Sequence, residues 1–200
     1  RPPPPGTVLR HLAGPLGLIF GISATMAFVQ RAFLTMEPII IADLGGSEGL
    51  GALALTIYLG AQAFGTVTGG VLADRMDRRK LLLYLCCLAL PAHLLAVWLG
   101  QGAIGLAAAG AAGFLGMATL PPIVVMAQEL LPSGAAVSSG IVMGLAWATG
   151  SVFVLATGAL ADVIGPQTAT LLSMPAIIIA IGLAMHPALK HGWNEHAQES

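Results

Sequence analysis

The residues best suited to chemistry form a polar series in an apolar stretch near the start of the chain. Ser23, Gln30 and Glu37 are seven residues apart and therefore share one face of a helix, with Arg31 and Thr35 on the neighbouring face. At about 1.5 Å per residue, Arg31 would lie roughly 24 Å along a helix that begins near residue 15. A charge at that depth in a membrane indicates a functional site, a side chain that extends to the membrane surface, or an ion pair between helices.

Two other side chains are candidates for chemistry. Glu37 precedes Pro38 near the expected end of the same helix, so it is either a proton site or a carboxylate at the outer membrane surface. Trp147 falls in the middle of a later apolar run, away from the interfaces where Trp is common. It either stacks on a substrate or packs between helices.

The most specific stretch is a charged loop at residues 70–80, Gly-Val-Leu-Ala-Asp-Arg-Met-Asp-Arg-Arg-Lys. Gly70 would let two helices approach closely, and Asp74 would meet the positive N-terminal end of another helix. The cations of the loop would hold it at the cytosolic face, and they are Arg75, Arg78, Arg79 and Lys80.

The composition requires a membrane around these residues. Only 8% of the 200 residues are charged, 56% are hydrophobic, and the mean hydropathy is +0.88. Soluble domains carry about 25% charged residues, so a soluble globule and a disordered chain are both excluded. The net charge of −1 provides no basic surface, which excludes nucleic acid as a partner.

Six apolar runs are long enough to cross a bilayer as helices. They cover about 15–37, 50–73, 80–100, 103–127, 136–161 and 168–188. The sequence therefore predicts an all-α polytopic membrane protein, with a six-helix transmembrane domain at 14–190. Residues 1–13 form a Pro-rich linker and residues 191–200 a tail. Adjacent Pro121 and Pro122 should kink the fourth helix.

The cations predict the orientation. With six spans, the linker, the tail and the loops after helices two and four share one side. By the positive-inside rule this side is cytoplasmic, because it receives seven of the eight cations: Arg1, Arg10, Arg75, Arg78, Arg79, Lys80 and Lys190.

The chain also repeats itself. Residues 68–74 recur in part as residues 156–162, with Gly and Leu-Ala-Asp in register 88 residues apart. The two copies end helices that run in opposite directions, as in a 3+3 inverted repeat. Chance similarity in a composition rich in Gly, Ala and Leu is the alternative. Gly140 and Gly144 have the spacing that permits close helix contacts.

The loop at 70–80 resembles the cytoplasmic motif of the major facilitator superfamily, Gly-x-Leu-Ala-Asp-Arg-x-Gly-Arg-Arg/Lys. Asp77 departs from it, because the family usually has Gly there, and we expect a looser loop as a result. Four further stretches are similar to the fosmidomycin resistance group of that superfamily, as the C-terminal half of a twelve-helix transporter. These are residues 31–33, 127–132, 139–146 and 158–162.

The resemblance implies an exporter of drugs or metabolites in the plasma (inner) membrane. It would be an antiporter that exchanges its small-molecule substrate for protons and confers drug resistance, without a cofactor. Its partner would be the N-terminal six-helix half or a second copy of this chain.

The resemblance also implies roles for particular residues. The corresponding first helix of the family lines the central cavity, so Arg31 would contact an anionic substrate with Gln30 beside it. Ser23 and Trp147 would lie in the same cavity. The loop that closes the cytoplasmic gate would contain Gly70, Asp74, Arg75, Arg78 and Arg79.

Two other functions stay open. The chain could be a non-transporting six-helix subunit or a fragment that needs a partner half. An intramembrane enzyme is disfavoured, because the sequence has no His-Glu-x-x-His motif and no Gly-x-Ser-Gly with a partner His. His186, His191 and His196 are five residues apart, which does not suit a metal site on a helix.

Overall fold

A computed structural model describes residues 14–189, and every regular element within that range is helical. Six of its helices are long and apolar enough to cross a membrane, which confirms the predicted six-helix fold. They are α1 (Pro15–Asp43), α2 (Glu48–Arg75), α3 (Arg78–Leu99), α4 (Ala103–Leu130), α5 (Ala135–Ile164) and α6 (Pro166–Met185). The proposed linker and tail lie outside the described residues, and so do Arg1, Arg10, Lys190, His191 and His196.

Helix α1 runs past the boundary predicted at residue 37 and ends at Asp43. Pro38 lies inside it and cannot donate a backbone hydrogen bond to the Leu34 carbonyl. The helix continues because Ile40 and Ile41 are completely buried, and burial of each side chain contributes about 1.5–3 kcal/mol. Core packing thus outweighs one lost hydrogen bond.

The turn between α2 and α3 is tight rather than loose. The Asp77 carboxylate accepts a hydrogen bond from the Lys80 backbone N–H at 2.8 Å and so caps the start of α3. Asp77 has a φ of −57°, so this position needs no glycine. The looser loop expected from the departure at Asp77 is not observed.

Three of the six helices contain an irregular turn. Helix α4 is interrupted at Thr119, just before the two prolines that cannot donate helical hydrogen bonds. Helix α5 contains a π-helical turn at Gly140–Leu145, and α6 contains a 3₁₀ turn at Met174–Ala176. Each irregularity changes which backbone carbonyls have a donor within their own helix.

Helix α1 is the centre of the bundle. In the most apolar 18-residue stretch of α1, 56% of the residues are buried, compared with 22% in the same kind of stretch in α2 and 28% in α5. Helices α2, α5 and α6 all pack against α1. The outer helices α2 and α5 therefore expose wide apolar faces, which must meet lipid or another protein surface.

The contacts between the first three helices and the last three form symmetric pairs. Helix α2 packs along α4 as α5 packs along α1, and α3 packs on α4 as α6 packs on α1. These pairs are equivalent if α1, α2 and α3 correspond to α4, α5 and α6. The two copies of the sequence repeat also fall at the C-terminal ends of the equivalent helices α2 and α5.

Helices α2 and α4 approach most closely at three glycines, Gly65 and Gly69 of α2 and Gly113 of α4, which meets the Tyr58 carbonyl. A Cβ added at Gly65 would overlap the Phe114 carbonyl, and one added at Gly69 would overlap the Ala118 carbonyl. At Gly70 the nearest atom would be 4.0 Å away, an ordinary contact. The close approach expected at Gly70 thus lies at its neighbour, because Gly69 and not Gly70 points at α4.

Helices α1 and α5 make a similar close contact. It lies at Gly150 and not at Gly140 and Gly144, the two glycines whose spacing predicted one. A Cβ at Gly150 would lie 2.6 Å from the Ala24 carbonyl of α1. At Gly140 and Gly144 it would meet no atom within 4 Å. The close contact between α1 and α5 therefore lies about one helical turn after the π-helical turn.

We expect Gly65→Ala to destabilise the bundle, because the added methyl group must push α2 and α4 apart. Overpacking of this kind costs about 1–3 kcal/mol. The measurement is thermal unfolding of the detergent-purified protein. Gly60→Ala is the matched control, because a Cβ at Gly60 on the same helix meets nothing within 4 Å. Equal melting temperatures for the two variants would contradict the packing described for α2 and α4.

Candidate functional site

Arg31 lies on the surface of the bundle and stacks on an aromatic ring. Its guanidinium carbon is 5.2 Å from the centroid of the Trp147 ring, within range of a cation–π interaction. The side chain is exposed, and no acidic side chain between residues 14 and 189 forms an ion pair with it. The structure thus brings together two of the residues predicted for the substrate cavity.

The contact lies well away from the ends of both helices. Side chains of a helix lean toward its N-terminus, so the Arg31 guanidinium lies closer to the centre than its Cα does. Trp147 is twelve residues into α5, roughly 18 Å along that helix. The guanidinium therefore lies far from the ends of α1 and α5, and it forms no ion pair with residues 14–189.

The polar series on α1 points into the bundle and not toward its surface. Ser23, Gln30 and Glu37 are only 2%, 2% and 1% exposed. The Ser23 hydroxyl donates to the Val142 carbonyl of α5 at 2.6 Å. These side chains share a face as predicted, but that face is covered by α2, α4 and α5. Direct contact of Ser23 or Gln30 with a substrate would require the helices to separate.

Gln30 links three helices. Its side-chain amide donates to the Gly116 carbonyl of α4 at 3.3 Å and accepts a hydrogen bond from Gln62 of α2 at 3.0 Å. The Gly116 carbonyl also accepts from the Thr119 hydroxyl at 2.6 Å, where α4 is interrupted. Gln30 therefore serves the backbone of a broken helix, a role that the sequence alone did not indicate.

An aromatic and imidazole cluster lies next to this network. The ring of Phe33 stacks on that of Tyr58 at 4.5 Å, and His93 meets both rings edge-on. His93 Nδ1 is 2.8 Å from the Ala89 carbonyl, which can only accept, so Nδ1 carries the proton. The Tyr58 hydroxyl then donates to His93 Nε2 at 3.4 Å.

Glu37 is buried and has no partner. Neither of its carboxyl oxygens has a hydrogen-bond donor within the described part of the chain. The contacts Gln30–Gln62 and Phe33–Tyr58 show that α2 covers the face of α1 that carries this series. Of the two alternatives for Glu37, an exposed carboxylate at the end of the helix does not fit its burial, because Glu37 is covered by other helices and α1 continues six residues past it to Asp43.

The charged loop divides into two parts. The side chains of Asp74 and Arg75 are exposed and make no hydrogen bond or ion pair with any residue from 14 to 189. Arg78 forms a salt bridge with Glu129 near the end of α4. Arg79 donates to two backbone carbonyls at the end of α6, those of Ala184 at 2.7 Å and Met185 at 2.8 Å.

No family model matches the sequence. The chain is similar to YfnC of Bacillus subtilis (strain 168), an uncharacterised transporter of the major facilitator type. The two are 32% identical over 109 residues, which are 54% of this chain and 26% of YfnC.

The structure is also similar to the crystal structure of FucP, a major facilitator superfamily transporter in the outward conformation. The TM-score is 0.65 and the sequence identity 21%, over 84% of this chain and 41% of FucP. The chain thus spans less than half the length of either protein. Both relatives are transporters, and the chain has the fold of one six-helix half of the major facilitator superfamily.

Proposed function

We propose that the chain is one half of a major facilitator transporter that moves small anionic molecules across the plasma (inner) membrane. The observation that supports it is Arg31, a charge on the surface of the bundle, far from the ends of α1 and α5, that stacks on Trp147. The other half of the pathway would come from the N-terminal half of the protein or from a second copy of this chain. The wide exposed faces of α2 and α5 suit such a partner.

The energetics of Arg31 favour an aqueous pathway over lipid. Placing a charged residue at the centre of a membrane helix costs about 2.5–3.5 kcal/mol in membrane-insertion measurements, which give the lowest values. A cation–π contact returns about 0.5–2 kcal/mol, so Trp147 offsets only part of that cost. The remainder requires water or an anion at the guanidinium.

The geometry of Arg31 suits an oxyanion. The guanidinium carbon lies over the indole ring, and a guanidinium presents its N–H groups from the edge of a planar group. Carboxylates, phosphates and phosphonates accept two parallel hydrogen bonds from such an edge. Thr35 is exposed one helical turn further along α1 and offers a hydroxyl on the same side.

We propose export in exchange for protons, as in the fosmidomycin resistance group that the sequence resembles. Glu37 is the proposed proton site. A carboxylate without a donor loses its solvation energy when buried, so Glu37 must hold a proton or gain a partner when the helices move. Such alternation between two environments is what carries a proton across the membrane.

The charged loop is the proposed cytoplasmic gate. Arg78 and Arg79 hold the start of α3 against α4 and α6. Asp74 and Arg75 face outward and are available to the partner half. In this proposal, Arg78 and Arg79 stabilise the packing of the six-helix half, whereas Asp74 and Arg75 contact the partner half.

We expect Arg31→Ala to abolish transport of anions while the protein still inserts in the membrane. Uptake into inverted membrane vesicles would be measured for a panel of small carboxylates, phosphates and phosphonates, with quaternary ammonium compounds as the cationic comparison. Arg31→Lys should retain part of the activity, because it keeps the charge but loses the planar edge. Unchanged anion uptake by Arg31→Ala would exclude the proposed site.

We expect Glu37→Gln to uncouple transport from protons. The variant should still exchange substrate for substrate, since its side chain keeps the shape of a protonated Glu, but substrate should no longer drive proton movement. A pH-sensitive dye inside proteoliposomes reports that movement. Glu48→Gln is the matched control, because Glu48 is exposed at the start of α2. Equal proton movement in the Glu37 variant and the control would rule out Glu37 as the proton site.

We expect charge reversal at Arg78 and Glu129 to show whether transport depends on the attraction between these two side chains or only on the charge of each one. Arg78→Glu should lower transport, because two carboxylates would then repel each other between α3 and α4. Adding Glu129→Arg should restore at least half of the activity, since the pair is then complete in reverse. Initial transport rates at equal protein levels are the measurement. Failure of the double variant to recover would show that the pair does not hold the gate.

A further inference from the structure

The π-helical turn of α5 lies immediately before the aromatic partner of Arg31. Its residues are Gly140–Leu145, and its last wide bond runs from the Ala146 N–H to the Ile141 carbonyl. Trp147 is the next residue. A π-helical turn inserts one extra residue into an α-helix, so the residues after it are rotated by about 100° relative to an uninterrupted helix. The turn therefore sets the direction in which Trp147 projects.

The carbonyl that follows this last i→i+5 hydrogen bond accepts a hydrogen bond from another helix. Where backbone hydrogen bonding changes from i→i+5 back to i→i+4, one carbonyl receives no N–H from its own helix. Here that carbonyl is the one after Ile141, the carbonyl of Val142. The Ser23 hydroxyl of α1 donates to it at 2.6 Å. Both residues are buried, so water cannot replace this donor.

A second fixed point follows Trp147. At Gly150, the backbones of α5 and α1 approach so closely that a Cβ would lie 2.6 Å from the Ala24 carbonyl. Trp147 thus lies between a hydrogen bond on one side and a tight backbone contact on the other. Gly140 and Gly144 have open space around them and do not restrain the turn themselves.

We propose that Ser23 is a positioning residue for the anion site, because its hydrogen bond to the Val142 carbonyl holds the π-helical turn that places Trp147 beneath Arg31. This inference rests on the proposed function only for the identity of the site. The positioning of Trp147 is a separate claim about the fold. Ser23 then acts on a substrate through Trp147 and Arg31 and touches no substrate itself.

The experiment follows the surroundings of Trp147 by fluorescence. The detergent-purified protein carries Trp98→Phe and Trp193→Phe, so that Trp147 is its single tryptophan. Iodide is the anionic quencher and acrylamide the neutral one. A guanidinium beside the ring concentrates iodide, so Arg31→Ala should lower the iodide quenching constant about threefold and leave acrylamide quenching nearly unchanged.

Ser23→Ala should lower the iodide quenching constant toward the value of Arg31→Ala, because Trp147 then leaves the guanidinium. Ser23→Thr keeps a hydroxyl at this position and should restore quenching. In the Arg31→Ala background, Ser23→Ala should have no further effect, which a double-variant cycle detects. Thr25→Ala is the matched control, because the Thr25 hydroxyl donates to the Gly21 carbonyl of its own helix at 2.8 Å.

Iodide quenching that is unchanged in Ser23→Ala but lowered in Arg31→Ala would overturn this inference. Equal losses from Ser23→Ala with and without Arg31 would also overturn it, since the effect would then not pass through the pair. Neither result bears on anion transport by Arg31, which the vesicle assay tests separately. An Arg31→Ala variant that transports normally but is quenched less by iodide would remove the proposed function and leave the positioning role of Ser23 intact.

Discussion

A backbone carbonyl without a hydrogen-bond donor is expensive where no water is available, and this constraint governs the bundle. The structure departs from regular helix at several points, and at these points side chains from other helices supply donors. Ser23 serves α5, Gln30 serves α4, and Arg79 serves the end of α6. Gln101 and Gln167 also donate to the carbonyls of Ile41 and Val97, of which the Ile41 carbonyl accepts from the Gly46 N–H as well. Several of the few polar side chains of this apolar chain thus bind backbone carbonyls of other helices.

This use of polar residues explains why α1 is central. Its inward face carries two of the donors, Ser23 and Gln30, and each reaches a helix that has lost regular pairing. Glu37 is on the same face but can donate nothing as a carboxylate, and no group in the described residues donates to it. The structural polar residues and the proposed proton site therefore occupy one stripe, and Arg31 occupies the face beside it.

Much of the fold could be predicted from the sequence, because hydrophobic runs of about 20 residues have few alternatives to crossing a membrane. The shared face of Ser23, Gln30 and Glu37 also follows from spacing alone. The direction of that face does not, since it depends on which helices cover α1. The pairing of Tyr58 with His93 joins residues 35 positions apart, and no local pattern indicates it. The π-helical turn was equally hidden, because its glycines have the same spacing as those of close helix contacts.

The two carbonyl bonds of Arg79 have a mechanical consequence. They join the first turn of α3 to the last turn of α6, although the two segments are more than a hundred residues apart in the chain. Any tilt of α3 is therefore transmitted to the point where the polypeptide leaves α6. The segment that follows Met185 would then move together with the start of α3, so its displacement would report the state of the charged loop.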